Sequence, residues 1–530
     1  MKRLLSAHIA DRLGVGSALI TKPKDPSFGH FCTPVAFSLA KAEKKPPQTI
    51  AAELCAKLHD ERLFSKVEAV GGYVNFTLSG GFLDSAANEA LKSGENYGAG
   101  QGGETILLEF VSANPTGPLH IGHARGAFYG DALLRLGRHL GYKIQSEYYI
   151  NDAGNQIELL GRSLYFKGRI ELLGEAVEFP PECYQGEYIS DLAKEALEHF
   201  GRAIFDEKSD LDPLCVWAKE KMLLWIKRTL SDAAIVFDNF VSEKSLYDRW
   251  DSARSALEKN GALYTDSEGK VWLASTQKGD GKDRVVVREN GVPTYLAGDI
   301  VYHGDKFARG FDRYINIWGA DHHGYIPRVK AAIDFLGYDS NRLEVLLSQM
   351  VALLKGGEPY KMSKRSGNFV TMEEVGAEVG YDALRFVFLT KRADTHLEFD
   401  VDLLKNEDSS NPVYYVNYAH ARICSLFEKV GLTQAAAASA STIGLSESGN
   451  DLLFFALSIP ETIEEAFKTR QPHLIADYLY KLATKFHRFY NDTRVIGSDN
   501  QAALLKLFAV VALAIRLGLK MLGITAKVRM

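Results

Sequence analysis

Apolar positions in the middle of the chain follow the alternating periods of strands and helices. An apolar run over 105–111 is typical of a buried strand, and apolar side chains then recur on one face of a predicted helix over 121–140. A second strand is predicted over 142–150. A strand, a helix and a strand of these lengths form a βαβ unit, which indicates a parallel sheet with a right-handed crossover.

The same alternation returns after a long interruption. Residues 155–260 are mainly helical and charged. The later elements are predicted strands over 284–288, 313–318 and 345–354 and a predicted helix over 323–336. We therefore predict an α/β fold, with a Rossmann-like doubly wound parallel sheet over 101–375 and a helical insertion at about 155–260.

Smaller units are predicted on both sides of this sheet. Residues 1–100 are expected to form an α+β domain, residues 376–410 a connecting segment and residues 411–530 a helical bundle. The low-complexity stretch 433–441 in the bundle is expected to be a mobile loop. Elements predicted in the first domain are helices around 34–42 and 48–59 and a strand over 72–78.

The amino-acid composition is typical of a globular protein, and the spacing of the cysteines is typical of reduced thiols. The 530 residues exceed one ordinary domain, and the formal net charge is −5. The bundle carries 13 Lys or Arg against 9 Asp or Glu, which fits an anionic partner or chance scatter equally well. Its apolar stretch 504–522 contains Lys506, so it indicates a buried helix rather than a membrane span. The cysteines are odd in number and form no CxxC pair, which fits the cytosol and argues against structural zinc: Cys32, Cys55, Cys183, Cys215 and Cys424.

The strongest chemical signal is the stretch NPTGPLHIGH over 114–123, between a predicted strand and a predicted helix. A helix N-terminus suits phosphate, and Gly122 lets a nucleotide approach the backbone. His120 and His123 are one turn apart, so both imidazoles can stabilise charge that builds on a phosphate. Two histidines near a helix start are, taken alone, more often cap or surface residues.

A second signal, KMSK over 361–364, follows the last predicted sheet strand and a Gly-Gly turn. Lys361 and Lys364 can neutralise a departing pyrophosphate. Alone, such a run is usually a solvated charge cluster. Both motifs in this order, each after a sheet strand, make coincidence a poor explanation.

With both motifs the chain resembles the class I aminoacyl-tRNA synthetases, and further segments narrow the resemblance to the arginyl-tRNA synthetases over essentially the whole chain. Those segments span 109–125, 151–156, 295–299, 318–323 and 411–422. The resemblance implies ATP-dependent activation of L-arginine to arginyl-adenylate, then transfer to the 3′-terminal ribose of tRNA-Arg. It also implies Mg²⁺ bound with ATP but no dedicated metal site, a cytoplasmic monomer, and neither a membrane nor DNA as a partner.

The resemblance assigns roles to residues at matching positions. The expected catalytic side chains are His120, His123, Lys361 and Lys364. ATP binding is expected to add Gly117, Gly122, Met362 and Ser363. Arginine is expected to meet Glu109, Asn114, Glu243, Tyr295, Asp299 and Asp321. Carboxylates are the natural partners of a planar, always charged guanidinium, although Asp299 could equally be a helix cap.

The resemblance also implies two tRNA-binding surfaces, with 376–410 as a connecting segment that contacts a tRNA stem. Tyr73 and Asn75 match residues that contact the D-loop, and their alternation puts both on one face of a strand. The anticodon loop is expected to meet Tyr415, Tyr418, Arg422 and Met530. Without the resemblance, an ordinary strand face and a core aromatic stripe would explain these patterns better, and Arg422 could be an ion-pair partner.

Two other functions remain open from the residues. Another class I synthetase would keep both motifs but lack a carboxylate at position 299. A catalytically inactive relative that only binds tRNA would keep the surfaces and lose the chemistry. Intact His120 and His123 argue against the second alternative.

Overall fold

The computed structural model describes residues 1–207, 209–360 and 369–530. Contacts divide the chain into two compact units. Unit 1 comprises Met1–Ala99, Pro412–Thr469 and Leu474–Met530, and unit 2 comprises Gly100–Asn411 and Arg470–His473.

Unit 1 begins with an α+β fold, as predicted. Its elements are α1 Lys2–Leu13, β1 Phe31–Thr33, α2 Val35–Glu43, α3 Pro47–Leu58, β2 Phe64–Val70, β3 Tyr73–Leu78 and α4 Gly80–Ser93. The strands form an antiparallel sheet in the order β1-β3-β2. Gly71 and Gly72, with φ of 58° and 88°, make the two-residue turn between β2 and β3, where side chains other than glycine are strained.

Unit 2 holds the remaining strands. Its elements are β4 Thr105–Glu109, α5 Ile121–His139, β5 Lys143–Ile150, α6 Asn155–Lys167, α7 Glu187–Phe200, α8 Asp212–Asp232, β6 Asn239–Ser242, α9 Trp250–Lys259, β7 Leu263–Thr265, β8 Val271–Leu273, β9 Arg284–Val287, α10 Tyr295–Ala308, β10 Arg313–Gly319, α11 Ile326–Phe335, β11 Leu343–Ser348, β12 Val351–Lys355, β13 Glu358–Pro359, α12 Met372–Val379, α13 Tyr381–Phe388 and β14 Leu397–Asp400.

The predicted doubly wound parallel sheet is confirmed. Its five strands run parallel in the order β11-β10-β4-β5-β6. The chain starts in the centre with β4, moves to one edge through β5 and β6, and returns to the other side of β4 as β10 and β11. The strand order therefore reverses between β4 and β10, and ligands of such sheets bind beside the carboxyl ends of the strands at this point.

Two predicted strands in unit 2 were assigned to the wrong sheet, wholly or in part, and one strand was not predicted. The run over 284–288 forms β9 in a separate antiparallel sheet with β7 and β8. The run over 345–354 is two strands, of which β11 joins the parallel sheet and β12 pairs with β13 and β14. The edge strand β6 lies inside the predicted helical insertion, although α6, α7 and α8 there are helices as predicted. An apolar run indicates a strand but not its partner, which explains these errors.

The rest of unit 1 is a helical bundle, as predicted. Its helices are α14 Pro412–Val430, α15 Gln434–Ala437, α16 Glu447–Leu457, α17 Ile459–Lys468, α18 His473–Asn491 and α19 Gln501–Met521. Part of the expected mobile loop is the short helix α15, which Thr433 caps by accepting a hydrogen bond from the Ala436 amide.

The helix α19 is the core of this bundle. Among the helices of the described residues, α19 alone is long and apolar enough to cross a membrane. However, 89% of its most apolar 18-residue stretch is buried within the structure. That burial accounts for its composition without a membrane, as the sequence indicates for 504–522.

Candidate active site

The first motif occupies the turn between β4 and α5. His120 is the residue before the helix, with an extended backbone (φ −78°, ψ 159°), and His123 follows in the first turn. Their imidazole rings stack, with centroids 3.6 Å apart and planes inclined by 28°. Burial lowers the pKa of both imidazoles, that of His123 to about 3, so both are neutral at pH 7.

Neutral stacked imidazoles can each donate one hydrogen bond to an oxyanion. The Nδ1 atom of His123 is buried and has no hydrogen-bond partner among the described residues. A buried polar atom without a partner is unusual in a folded protein and is commonly explained by a bound ligand or water. The geometry therefore suits contact with a charged oxygen at the start of α5.

Two glycines of the motif make room for neighbouring side chains. A Cβ atom on Gly122 would lie 2.8 Å from Cε1 of His120, so any larger residue would displace that ring. A Cβ on Gly117 would lie 3.3 Å from the hydroxyl of Tyr188, which donates to the Thr116 carbonyl at 3.2 Å. Gly122 was expected to admit a nucleotide, but its role in leaving room for the His120 imidazole was not predicted from the sequence.

The second motif, with Lys361, Met362, Ser363 and Lys364, lies outside the described residues. The segment that follows it is bound to the first motif. The Ile121 amide donates to the Val370 carbonyl at 2.9 Å, and the Met372 amide donates to the Leu119 carbonyl at 2.8 Å. The chain shortly after the second motif is therefore joined, backbone to backbone, to the turn that carries the first.

Two of the predicted carboxylates come together beside α10. Asp299 lies inside this helix, which begins after Thr294, so the alternative of a helix cap is wrong. Glu243 follows β6 and packs against the helix so closely that a Cβ on Gly298 would lie 2.5 Å from its Oε1 atom. Glycine at 298 thus allows Glu243 to lie next to Asp299.

Both carboxyl groups have pKa values raised well above those of ordinary carboxyl groups. Burial raises the pKa of Glu243 to about 7, against a hydrogen bond from Tyr149. Burial, and then the charges of Glu243 and Glu109, raise the pKa of Asp299 to about 7. The Oε2 atom of Glu243 is buried and has no hydrogen-bond partner in the part of the chain that is described. Such a pair is short of positive charge, which a guanidinium would supply.

Glu109 is neutralised by the protein itself. It forms a buried ion pair with Lys306, whose ammonium group also donates to Asn316 Oδ1 at 2.8 Å. Ser112 donates to the other oxygen of Glu109 at 3.0 Å. Glu109 can therefore support the pocket but is already paired.

Sequence reasoning missed Lys306. Asp299, His303 and Lys306 are spaced i, i+4 and i+7 on α10, which puts them on one helical face. That spacing was the available signal, and its meaning depends on Glu109, which lies 197 residues earlier.

The other residues predicted to contact the arginine substrate are more exposed to solvent. Asn114 donates from Nδ2 to Gln156 Oε1 at 2.8 Å, which orients its amide. Tyr295 is 55% exposed at the start of α10. Asp321 lies after the carboxyl end of β10, where it is exposed and 3.5 Å from His322. These three side chains are accessible to a ligand without being buried by the protein.

The predicted D-loop residues differ in exposure. Tyr73 is 41% exposed at the start of β3, whereas Asn75 is 3% exposed. Because β3 is the central strand, Asn75 lies between Cys32 of β1 and Glu68 of β2. Alternation puts both side chains on one face, but only Tyr73 reaches the surface.

The predicted anticodon residues lie along α14, with Met530 exposed at the end of the tail. Tyr418 is exposed and stacks on His487 at 5.5 Å. Tyr415 lies 4.8 Å from the same ring, and the guanidinium of Arg422 lies 4.1 Å from the ring centre of Tyr490. Aromatic rings and one guanidinium thus line part of this helix.

The chain's last residues are tied to α14. The Lys527 amide donates to Asn417 Oδ1 at 2.8 Å, and the Lys527 carbonyl lies 2.9 Å from His420 Nδ1. The tail is therefore held against α14 by two hydrogen bonds.

Comparison with known proteins agrees with this arrangement. The model described as "Arginyl tRNA synthetase N terminal domain" matches residues 1–78, "tRNA synthetases class I (R), catalytic domain" matches 87–407, and "DALR anticodon binding domain" matches 416–530. The arginine–tRNA ligase of Nitratiruptor sp. is 58% identical over 530 residues, 100% of both chains. That of Wolinella succinogenes is 57% identical over 97% of both chains.

Solved structures give the same result. A crystal structure described as a putative arginyl-tRNA synthetase from Campylobacter jejuni shares 54% identity with a TM-score of 0.83, covering 86% of this chain and 100% of the other. The Thermus thermophilus arginyl-tRNA synthetase covers 100% of both chains at 21% identity and a TM-score of 0.76, which shows the shared fold. On these matches, which span the full length, the chain belongs to the arginyl-tRNA synthetase family.

Proposed function

We propose that this chain joins L-arginine to tRNA-Arg in two steps at the carboxyl edge of its parallel sheet. Family membership makes it an arginine–tRNA ligase that uses ATP. The roles of individual residues are our proposal. One observation carries it: stacked neutral imidazoles follow β4, and a pair of carboxyl groups with pKa values near 7 lies beside α10.

In the first step the arginine carboxylate attacks the α-phosphate of ATP, forming arginyl-adenylate and releasing pyrophosphate. His120 and His123 donate hydrogen bonds to the phosphate oxygens as negative charge builds there. Gly117 and Gly122 keep the turn free of side chains. Lys361 and Lys364, together with Met362 and Ser363, hold the triphosphate.

The side chain of arginine is recognised by charge and shape. Asp299 and Glu243 receive the guanidinium, and Tyr295 lies over it. Asn114 receives the α-amino group, and Glu109 supports this pocket through its pair with Lys306. Asp321 contributes a polar contact at the rim. A lysine or glutamine substrate would leave the carboxylates imperfectly paired, and this difference provides the specificity.

In the second step a hydroxyl of the terminal tRNA ribose attacks the adenylate carbonyl, and AMP leaves. Tyr73 and Asn75 contact the D-loop, and Tyr415, Tyr418, Arg422 and Met530 contact the anticodon loop. Exposed aromatic rings suit unstacked bases, and arginine suits phosphate. Residues 376–410 contact a tRNA stem.

Magnesium enters with ATP in this proposal. Within the described ranges, no group of three or more His, Cys, Asp or Glu could hold a metal ion, so phosphates and water would supply most ligands. The ion would neutralise phosphate charge. We further propose that the enzyme works as a monomer in the cytoplasm, with neither DNA nor a membrane as a partner, and sedimentation of the pure protein tests the monomer.

Charging of total tRNA with each of the twenty amino acids tests the proposal. Arginine alone should be attached, and pyrophosphate exchange with and without tRNA shows whether tRNA is needed to assemble the site. Attachment of another amino acid would favour a different class I synthetase. Tight tRNA binding with no charging at all would favour an inactive tRNA-binding protein.

A further inference from the structure

The segment 151–156, with the sequence NDAGNQ, connects β5 to α6 beside the predicted arginine contacts. Gln156 accepts a hydrogen bond from Asn114 Nδ2 at 2.8 Å. Gly154, whose φ is 85°, lies next to Tyr295, since a Cβ atom on it would be 3.7 Å from that ring. Two residues predicted to bind arginine thus contact this segment, although none of its own side chains has a role in the proposed reaction.

Asp152 of this segment holds the turn that carries Glu243. Its buried carboxylate lies 2.8 and 2.9 Å from the hydroxyl of Ser242, which donates to it, and it accepts from the Lys244 amide at 3.1 Å. Ser242 and Lys244 are the neighbours of Glu243 in the chain, so one carboxylate is bonded on both sides of that residue. The Glu243 amide is fixed as well, because it donates to the Ile150 carbonyl at 2.9 Å. The backbone of this turn therefore has little freedom while Asp152 is in place.

A lysine of the helical insertion balances the charge of Asp152. Lys219 on α8 is partly buried and donates from Nζ to Asp152 Oδ2 at 3.2 Å. Such a partner matters because an unpaired carboxylate in a buried position is costly. Burial and, more weakly, the charge of Asp152 raise the pKa of Glu243 to about 7, against a hydrogen bond from Tyr149. Asp152 therefore influences both the place and the protonation of Glu243.

We propose that Asp152 is a positioning residue for the recognition of arginine. It fixes the turn after β6 so that Glu243 meets the guanidinium beside Asp299, and it does not touch the substrate itself. A recognition group keeps its contacts only when the surrounding residues hold it within about 0.5 Å of the productive position. This inference rests on the proposed binding of the guanidinium by Glu243, and it gives a role to the segment 151–156.

Substitutions of Asp152 separate its geometry from its charge. At pH 8, where Glu243 is mostly ionised, Asp152→Ala should raise the KM for arginine in aminoacylation by about 5- to 150-fold, the range for losing the hydrogen bonds of one buried acceptor. The kcat and the KM for ATP should stay nearly constant. Asp152→Asn keeps one acceptor oxygen for the Ser242 hydroxyl and the Lys244 amide, so it should retain most of the affinity.

The matched control is Asp238→Ala at the opposite end of β6. Asp238 accepts from the amide and the hydroxyl of Ser146 at 2.7 and 2.8 Å and from Arg138 at 2.6 Å, so it also joins this strand to its neighbour. It lies at the amino end of the strand, whereas the predicted arginine contacts lie beyond the carboxyl end. Its loss should lower stability without changing the KM for arginine. An equal rise in this KM for the two alanine variants would reduce Asp152 to a general support of β6.

The pH dependence of the KM for arginine provides a readout that general damage would not move. Asp152→Asn removes a negative charge near Glu243, which lowers the pKa of Glu243, so the fall in KM with rising pH should occur at lower pH. Lys219→Met leaves the charge of Asp152 unopposed and should move this fall to higher pH. The other titratable groups near Glu243 and Asp152 are the same in both variants: Tyr149 on β5, Tyr247 after β6 and Asp299 on α10.

The inference and the proposed function fail differently. If Glu243→Gln raises the KM for arginine but Asp152→Ala does not, Asp152 has no positioning role and the role of Glu243 stands. If Glu243→Gln leaves this KM unchanged, the proposed guanidinium contact itself is wrong. Unmoved pH profiles in both Asp152→Asn and Lys219→Met, or shifts in the same direction, would also overturn the inference. These two variants decide the question even if Asp152→Ala does not fold.

Discussion

A buried lysine of the bundle is satisfied by the protein, whereas two buried atoms of the candidate active site are not. In unit 1, Lys506 lies fully buried in the apolar helix α19, and its ammonium group donates to Asp84 Oδ1 at 2.8 Å, Asn88 Oδ1 at 2.6 Å and the Ala440 carbonyl at 2.7 Å. Three donors meet three acceptors. In unit 2, His123 Nδ1 and Glu243 Oε2 are buried without a hydrogen-bond partner in the described residues.

Lack of a partner is not confined to this site, because within the described part of the chain His420 Nε2 in the bundle and Asn75 Nδ2 in the N-terminal sheet are also buried without one. A satisfied buried charge joins helices and adds specificity to the fold, and removing one partner leaves a costly unpaired charge. A buried donor or acceptor without a hydrogen-bond partner destabilises the ligand-free protein by about 1–3 kcal/mol. A ligand that supplies the missing partner removes this cost. The missing partners of His123 and Glu243 therefore indicate candidate ligand contacts only in combination with the stacked histidines and the adjacent carboxyl groups.

The largest effect is expected where the buried charge is satisfied. Lys506→Met should lower the free energy of unfolding by about 3–5 kcal/mol, because Asp84 loses its buried partner. Urea denaturation measures this change. The control is Lys520→Met, which breaks the exposed pair with Glu95 and should cost less than about 1 kcal/mol. Equal losses for the two variants would mean that burial is not what distinguishes them.

Removal of an unsatisfied group should affect chemistry more than stability. His123→Ala should lower kcat for pyrophosphate exchange by about 100- to 1,000-fold, the usual effect of losing one donor to a developing oxyanion. The melting temperature should stay the same or rise. His123→Asn keeps a donor and should lose less; if both variants retain full exchange activity, His123 takes no part in the first step.

Asp299→Asn should weaken arginine binding. Losing one partner of a buried charge pair costs about 2 kcal/mol or more, so the KM for arginine should rise by at least about 30-fold, with that for ATP nearly constant. Asp305→Asn on the same helix removes a carboxylate that pairs with Arg249 and serves as the control. A similar rise in both variants would point to damage of α10 rather than lost recognition.

The smallest predicted effect is one of pH. Carboxyl groups with pKa values near 7 are partly protonated at pH 6 and ionised at pH 8, so the KM for arginine should fall over this range by about tenfold for each group that must ionise. Rising pH has the opposite effect on the folding stability of the protein without arginine: it improves arginine binding but lowers this stability. The folded pKa values exceed those of unfolded carboxyls, so these groups stabilise less as pH rises from about 4 to above 7.

Calorimetry in buffers of different ionisation enthalpy measures the protons released when arginine binds. Release at pH 6 and little release at pH 8 is expected. Glu243→Gln should reduce the release at pH 6, since it removes one titrating group. No proton release at either pH would contradict the raised pKa values.

Part of the site could be predicted from residues close together in the chain. The strand, turn and helix that carry His120 and His123, the strand β3 and the buried character of α19 all depend on short-range periodicity and turn chemistry. The structure bears out each of these elements because its cause lies within a few neighbouring residues.

Tertiary structure alone decided what those elements pair with. The sequence could not show that β6 completes the parallel sheet while β9 leaves it, that Lys306 neutralises Glu109, or that Asn75 is covered when Tyr73 is open. Each outcome depends on groups far apart in the chain, such as the 197 residues between Glu109 and Lys306. Periodicity carries no information about such partners, since pairing and burial are set by the packing of the whole unit.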